Sequence, residues 1–193
     1  MPIRSLAVFL ASSDGVDPAY GALAHDVGAE LARRGIQVVY GAGGQGLMGR
    51  LADGALSEGG RVVGVIPHEM VRREWGRSDL TELHVVDSMH ERKAMMAQRA
   101  DAFLALPGGL GTLEEIFEVW TWRAVGFHDK PVGFLDAHGF WTPLLDALRG
   151  IGTAGFLADP SLDDLVVATT LDDALSALEQ RLAPVDPGLR PGT

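Results

Sequence analysis

One stretch near the middle of the chain, residues 102–115, constrains both the fold and the chemistry. Residues 102–106 are apolar and predict a buried strand, and residues 107–111 follow with three glycines. Thr112 is a candidate N-cap for the next helix, and Glu115 stands three residues later, at the spacing of a capping box. A helix that begins directly after a glycine turn presents free amides and a positive dipole end. The stretch therefore predicts a phosphate site with a carboxylate beside it.

Apolar runs alternate with amphipathic segments along the rest of the chain. The predicted strands are residues 6–10, 36–40, 61–67, 82–86, 102–106, 131–135 and 165–168. Runs rich in valine and isoleucine are typical of parallel strands that are buried on both faces. The alternation predicts a Rossmann-like, doubly wound parallel α/β sheet flanked by helices, in a single domain over residues 1–182. Residues 68–80 predict a loop or a short mobile helix, and the proline-rich residues 183–193 predict a flexible tail.

The composition excludes several classes of function. Among 193 residues, 47% are hydrophobic and the net charge is −10, which indicates a folded chain and argues against nucleic acid as a partner. There is no cysteine, so disulfides and thiolate metal sites are excluded. The six histidines do not pair with carboxylates at metal-ligand spacing, so no metal is assigned. The first apolar run is too short for a signal peptide or a membrane span, so a cytoplasmic location is expected.

Three loops are expected to share one crevice, because ligands of such sheets bind outside the carboxyl ends of the strands. The loops are residues 11–15, 41–46 and 107–111. In the second loop, Gly43 and Gly44 could line a ligand, or Gly49 could simply allow close helix packing. The strand before this loop lacks the terminal acid that would hold the ribose of NAD, and the loop lacks the lysine of a P-loop.

The residues alone leave the roles of the charged groups open. Glu115 could act in acid–base catalysis, or it could fold back onto the helix start as part of a capping box. Arg92 and Lys93 lie on a helix predicted to begin after Ser88, where they could contact an anion or form a solvated face. His90 on the same helix could be a general base or a surface residue.

Two longer motifs resemble a known family. Residues 87–93 read Asp-Ser-Met-His-Glu-Arg-Lys, and residues 107–115 read Pro-Gly-Gly-Leu-Gly-Thr-Leu-Glu-Glu. Together they resemble the Lonely Guy family of cytokinin-activating phosphoribohydrolases, whose pattern Pro-Gly-Gly-x-Gly-Thr-x-x-Glu is matched without a gap. The similarity extends over most of residues 5–182. Relatives of this fold are often labelled lysine decarboxylases, but neither lysine of the chain has a recognisable pyridoxal-phosphate setting.

The resemblance implies hydrolysis of the N-glycosidic bond of an N6-substituted adenosine 5′-monophosphate, without a cofactor, to a free base and ribose 5-phosphate. It assigns catalysis to Arg92 and Glu115. Together with the three loops, it places the substrate on Ser12, Ser13, Gly43, Gly44, Met89, Lys93, Gly108, Gly109, Gly111 and Thr112. Family members are dimers or larger, so a homodimer is expected. Two alternatives stay open, namely a general nucleoside-monophosphate nucleosidase used in salvage and a non-enzymatic carrier of molybdenum cofactor.

The expected mechanism passes through an oxocarbenium-like sugar. Glu115 would stabilise that cation and orient or deprotonate water, and Arg92 would orient the ribose or Glu115 and keep the carboxylate ionised. Two positions depart from the family pattern, because Ala11 and Ala42 stand where the family usually has glycine. Each is expected to add a methyl group near the nucleotide and to tighten the pocket or change its affinity.

Overall fold

Seven parallel strands form a single sheet in the part of the chain that this computed structural model describes, residues 1–72 and 76–182. The strands are β1 Ser5–Phe9, β2 Gln37–Tyr40, β3 Val62–Pro67, β4 Glu82–Val86, β5 Ala102–Ala105, β6 Val132–Leu135 and β7 Val166–Ala168. Every predicted strand is confirmed, with bounds that shift by at most one residue. The predicted tail at residues 183–193 lies outside the described residues.

The strand order is β4-β3-β2-β1-β5-β6-β7, and all neighbouring strands run parallel. The chain therefore winds outward from β1 in one direction and then outward from β5 in the other. This confirms the predicted doubly wound, Rossmann-like α/β fold. The order reverses between β1 and β5, and the carboxyl ends of these two strands mark the place where such sheets bind ligands.

Eight helices flank the sheet within the same described ranges. They are α1 Pro18–Arg33, α2 Gly46–Ser57, α3 His68–Arg72, α4 Met89–Arg99, α5 Leu110–Ala124, α6 Thr142–Thr153, α7 Asp159–Asp164 and α8 Leu171–Arg181. The Ser88 hydroxyl accepts from the Glu91 amide and caps α4, as the sequence predicts. Helix α7 was not predicted, because six mostly polar residues carry no helical apolar period. None of the described helices has both the length and the apolar character that crossing a bilayer requires.

Each face of the sheet carries its own apolar core. On one face, Leu6 and Val8 of β1 pack with residues of α1, α2 and α8. On the other face, Ala7 and Phe9 pack with residues of α4, α5 and α6. All five residues of β1 are buried. Burial on both faces explains why the central strands read as continuous apolar runs rather than as alternating patterns.

Helices α1 and α2 approach each other closely at two glycines. A Cβ atom at Gly28 or at Gly54 would lie 2.0 Å from a backbone carbonyl oxygen of the facing helix. Gly49 has a different role, since a Cβ atom there would lie 2.6 Å from the carbonyl oxygen of Gly44 in the preceding turn. Gly28 and Gly54 therefore allow the close helix packing that the sequence suggested for Gly49.

Candidate active site

A cavity of about 550 Å³ opens at the carboxyl ends of β1, β2 and β5. All three predicted loops contribute to its wall, so the shared crevice is confirmed as a feature of the fold. Ten of the residues that the sequence assigned to the site line this cavity: Ser12, Ser13, Gly43, Gly44, Met89, Arg92, Gly109, Gly111, Thr112 and Glu115. Lys93 and Gly108 do not line it.

Helix α5 begins earlier than the sequence suggested. Its N-cap residue is Gly109, its first residue is Leu110, and no side chain of the described residues caps it. Thr112 lies inside the first turn, so the predicted N-cap at Thr112 and the capping box with Glu115 are wrong. Gly109 adopts a non-helical backbone conformation, with φ −103° and ψ −146°, which lets the helix start three residues sooner. Local residue spacing did not distinguish these two possible start points.

The uncapped start of α5 is suited to an anion. The first amides of a helix have no partner inside it, and the positive end of the dipole adds to their attraction for negative charge. Both Gly109 and Gly111 line the cavity, and a Cβ atom at either position would meet no atom of residues 1–72 and 76–182 within 4 Å. The surface at this turn therefore leaves room for a bulky anion such as phosphate. Gly108 instead faces the buried side chain of Thr112, whose Oγ1 would lie 2.1 Å from an added Cβ atom.

The other glycine turn, which leads into α2, has its amides already engaged. The Leu47 amide donates to the Ser13 carbonyl at 3.2 Å, and the Met48 amide donates to the Ala11 carbonyl at 3.1 Å. At Gly46, where φ is +59°, a Cβ atom would lie 2.3–2.5 Å from the backbone of residues 12–13. The start of α2 therefore fastens the first loop, and α5 is the better anion site of the two.

Arg92 projects from α4 into the cavity wall and is 5% exposed. Its Nε donates to the Val65 carbonyl at 3.1 Å, and its Nη2 donates to the Gly41 carbonyl at 3.3 Å. The third nitrogen, Nη1, lies 3.3 Å from Oε1 of Glu115. A Cβ atom at Gly41 would lie 1.7 Å from Nη2, so glycine at this position makes room for the guanidinium. Two carbonyl groups thus fix the orientation of Arg92.

Glu115 lies on α5, 5% exposed, with its carboxylate near Arg92 rather than folded back onto the helix start. Burial raises the pKa of this carboxyl, whereas the Arg92 guanidinium lowers it. Burial outweighs the guanidinium, so the net pKa is raised, and Arg92 does not hold the carboxylate ionised as strongly as the sequence argument supposed. A buried carboxyl group whose pKa is raised is a stronger proton acceptor than an ordinary glutamate, which suits acid–base chemistry.

Lys93 joins α4 to α5 instead of facing the cavity. Its Nζ is hydrogen-bonded to Glu114 and lies 2.8 Å from Oε2 of Glu118, and the residue is 6% exposed. Burial alone would lower the pKa of this ammonium, but the two carboxylates outweigh burial and raise it. The sequence prediction that Lys93 contacts the substrate is therefore not supported by its position. His90 on the same helix is exposed and does not line the cavity.

The two alanines that depart from the family pattern lie in different surroundings. Ala11 lines the cavity, as expected. Ala42 is fully buried, and its methyl group lies against Gly64 of β3, where an added Cβ atom would be only 2.7 Å away. The expectation that Ala42 places a methyl group beside the nucleotide is wrong, because its φ of +59° accompanies a side chain directed into the protein.

Most of an apolar part of the wall was not predicted from the sequence. It is formed by Met48 of α2, Ile66 of β3 and Met70 of α3, with Met89 of α4 nearby at the start of its helix. These side chains come from four separate elements, and only Met89 was assigned to the site. The sequence signal for this part of the wall was the position of Met48, shortly after the second glycine turn. Methionine walls adapt readily to apolar groups of different shape.

The fold and the site define an α/β protein with an uncapped helix start and a buried arginine–glutamate pair in one cavity. Residues 48–178 match the family model described as "Possible lysine decarboxylase". The chain is 43% identical over 176 residues to a cytokinin riboside 5′-monophosphate phosphoribohydrolase of Rhodococcoides fascians, which covers 91% of this chain and 89% of that protein. The enzyme named LOG from Oryza sativa subsp. japonica is 43% identical over 187 residues, covering 96% and 77% of the two chains. The chain therefore belongs to the Lonely Guy family.

Solved structures with the same fold are more distant in sequence. A molybdenum cofactor binding protein of Rippkaea orientalis has a TM-score of 0.67 at 19% identity, covering 93% of this chain and 98% of that one. The protein TM1055 has a TM-score of 0.71 at 24% identity, covering 92% and 99%. These similarities support the fold alone.

Proposed function

We propose that this protein hydrolyses the N-glycosidic bond of an adenosine-type 5′-monophosphate that carries an apolar N6 substituent. The products are the free base, a cytokinin, and ribose 5-phosphate, and water is the only co-reactant. The observation that carries the proposal is the buried Arg92–Glu115 pair, whose atoms lie 3.3 Å apart in the wall of a cavity that also contains the start of α5. The names of the relatives from Rhodococcoides fascians and rice point to the same reaction.

The substrate phosphate binds at the first turn of α5 in this proposal. Gly111 and Glu115 are four residues apart on that helix, so they share one face and lie about 6 Å apart along the axis. A nucleotide whose phosphate sits against Gly111 therefore extends its sugar along the helix toward Glu115. Binding energy from the phosphate then positions the reacting bond, although the phosphate itself takes no part in the chemistry.

The glycosidic bond breaks as its electron pair leaves with the base, which takes up a proton from solvent, and the sugar acquires positive charge at its anomeric carbon. The Glu115 carboxylate stabilises this charge and accepts a proton from the attacking water, as carboxylates do in glycosidases. Its raised pKa makes it a more effective proton acceptor than an ordinary glutamate. Arg92 does not leave its two carbonyl partners during these steps, and it orients the carboxylate through Nη1.

The apolar wall supports a substrate with an N6 substituent over plain AMP. Met48, Ile66 and Met70 form a hydrophobic surface in the cavity wall. The free amino group of adenine is polar and would not cover this surface, whereas an apolar N6 substituent would. Burial of an apolar group contributes about 25 cal/mol per Å², so a five-carbon substituent that covers about 100 Å² adds about 2.5 kcal/mol. We therefore expect about a sixty-fold preference in kcat/KM for the N6-prenylated nucleotide, since 1.4 kcal/mol corresponds to a factor of ten.

The proposal also includes a homodimer in the cytoplasm. Leu83 and Val85 of the edge strand β4 are 39% and 41% exposed, which leaves apolar surface that a second copy could cover. Light scattering on the purified protein measures the mass, and a monomer at micromolar concentration would contradict the dimer. Fractionation of cells that express the protein tests its location.

A panel of nucleotides tests the reaction itself. AMP, N6-isopentenyl-AMP, GMP and CMP are incubated separately with the protein, and free base and ribose 5-phosphate are quantified by chromatography. Equal amounts of both products from N6-isopentenyl-AMP, at a higher rate than from AMP, would support the proposal. Comparable rates on all four nucleotides would indicate a general salvage nucleosidase, and a bound pterin without base release would indicate a carrier.

A further inference from the structure

The turn at residues 41–44 is covered by a short segment of the chain, residues 76–80, which we call the strap. An antiparallel bridge joins Gly43 of the turn to Gly76 of the strap. The next amide of the strap donates to the carbonyl of Ala42 at 3.1 Å. The backbone of the strap therefore holds the turn at two consecutive positions.

The side chain of Arg77 ties the strap to the helix that follows the turn. Its Nη1 donates to the Gly49 carbonyl at 3.2 Å and to Asp53 at 2.6 Å, and both groups belong to α2. Its Nε and Nη2 donate to Asp79 at 2.5 Å and 2.8 Å. Only 17% of this side chain is exposed. All three guanidinium nitrogens are thus engaged, Nη1 by α2 and the other two by Asp79 of the strap itself.

The turn itself is strained at Ala42. Its φ of +59° lies in the left-handed region, which a residue with a Cβ atom adopts only when its surroundings hold it there. The far side of the turn reaches the active site, because the Gly41 carbonyl accepts from Nη2 of Arg92 and Gly43 lines the cavity. A relaxation of the turn would therefore move the carbonyl that orients Arg92.

We propose that Arg77 is a positioning residue for the reaction. Arg77 holds the strained turn in place. The Gly41 carbonyl of this turn holds the Arg92 guanidinium against Glu115. Arg77 does not line the cavity, so it acts without touching the substrate. The inference rests on the proposed function for its kinetic consequences, whereas its effect on the turn can be measured independently.

A matched control is available at Arg123 of α5. Its side chain is 16% exposed, it bonds Asp164 through two nitrogens, and it also donates to a backbone carbonyl, that of Asp129. It does not line the cavity. Arg123→Met therefore removes a similar set of interactions without affecting the turn. A merely structural role for Arg77 predicts the same kinetic behaviour for the two variants.

The kinetic test compares Arg77→Met, Arg77→Lys and Arg123→Met by base release from N6-isopentenyl-AMP, per folded protein. We expect Arg77→Met to lower kcat by about tenfold, because small displacements of a catalytic group are costly. Arg77→Lys, which preserves the charge but loses the forked geometry, should retain an intermediate kcat. Arg123→Met should leave kcat within about twofold of the wild type. Equal kcat values for Arg77→Met and Arg123→Met would overturn the proposal.

Substitution at Ala42 gives a second arm. Glycine adopts the left-handed conformation without strain, so Ala42→Gly should reduce the kcat loss of Arg77→Met from about tenfold to about threefold. The same tenfold loss in both backgrounds would contradict the role assigned to the strained turn.

Hydrogen exchange in peptides that cover residues 38–50 supplies a readout that needs no activity. Exchange there should quicken in Arg77→Met and not in Arg123→Met. If the wild type releases no base, the proposed function fails, and unchanged exchange in Arg77→Met would still overturn the inference separately.

Discussion

Replacement of Gly111 by alanine should make the protein more stable and a worse enzyme at the same time. Gly111 is the second residue of α5, and an added Cβ atom would meet no atom within 4 Å in the part of the chain that the structure describes. Alanine in a helix is favoured over glycine by about 0.5–1 kcal/mol, so Gly111→Ala should raise the free energy of unfolding by about that amount. The same methyl group occupies the space into which the phosphate must fit.

The kinetic cost follows from the hydrogen bonds that the phosphate would lose. A hydrogen bond to a charged group contributes about 1.5–3 kcal/mol, so one displaced amide contact raises KM about tenfold to a hundredfold. The chemistry at Glu115 lies one helical turn away, so kcat should fall less than KM rises. Steady-state kinetics on N6-isopentenyl-AMP and urea denaturation of the same preparation measure the two effects.

Gly150 of α6 provides the matched control. It is an exposed helical glycine whose added Cβ atom would also meet none of the described atoms within 4 Å, and it does not line the cavity. Gly150→Ala should therefore give a similar gain in stability with an unchanged KM. If Gly111→Ala raised the stability and left KM unchanged, as expected for Gly150→Ala, the phosphate would not bind at the start of α5. The orientation of the substrate proposed above would then be refuted.

Three further substitutions test the neighbouring parts of the site. Gly41→Ala places a Cβ atom 1.7 Å from Nη2 of Arg92, so kcat should fall at least about a hundredfold with a smaller change in KM, and an unchanged kcat would argue against Arg92 as a catalytic group. The pKa of Glu115 is raised, so its carboxylate gains a proton at higher pH than that of an ordinary glutamate. On the acid limb of the pH profile, kcat should therefore fall at higher pH than the ordinary pKa of glutamate would give. Lys93→Met removes a cation near Glu115 and leaves the two carboxylates that Lys93 binds, so the limb should move to still higher pH; a shift to lower pH would contradict these electrostatics. Ala42→Gly relieves about 1–2 kcal/mol of backbone strain and removes a buried methyl group that contributes about 0.8 kcal/mol, so the free energy of unfolding in urea should rise by up to about 1 kcal/mol, and a decrease of about 0.8 kcal/mol or more would show that the turn is not strained.

The sheet could be predicted because its signal is local. Strands buried on both faces are continuous apolar runs, so β5 at Ala102–Ala105 can be recognised in the sequence without knowledge of its neighbours. The start of helix α4 at Met89 was also predicted, because Ser88 is an N-cap residue that can be recognised in the sequence. These elements needed no information from distant parts of the chain.

The parts that could not be predicted depend on contacts between elements. Lys93 is bonded to Glu114 and paired with Glu118, which are distant in sequence and belong to another helix, so its adjacency to Arg92 suggested a substrate contact instead. The direction of the Ala42 methyl group depends on a backbone angle that no residue pattern reports. The apolar wall around Met70 comes from a segment whose sequence is mixed and polar, and only the tertiary fold brings it to the cavity.

The most direct test of the central claim is base release by Glu115→Gln. Glutamine has nearly the shape of glutamate but can neither stabilise the sugar cation with a charge nor accept a proton from water. Glu58→Gln, which changes a carboxylate that is bonded to Arg33 and does not line the cavity, serves as the control. With N6-isopentenyl-AMP as the substrate, we predict that Glu115→Gln lowers kcat at least about a hundredfold, while Glu58→Gln retains the wild-type rate. Release of free base by Glu115→Gln at the wild-type rate would contradict the account.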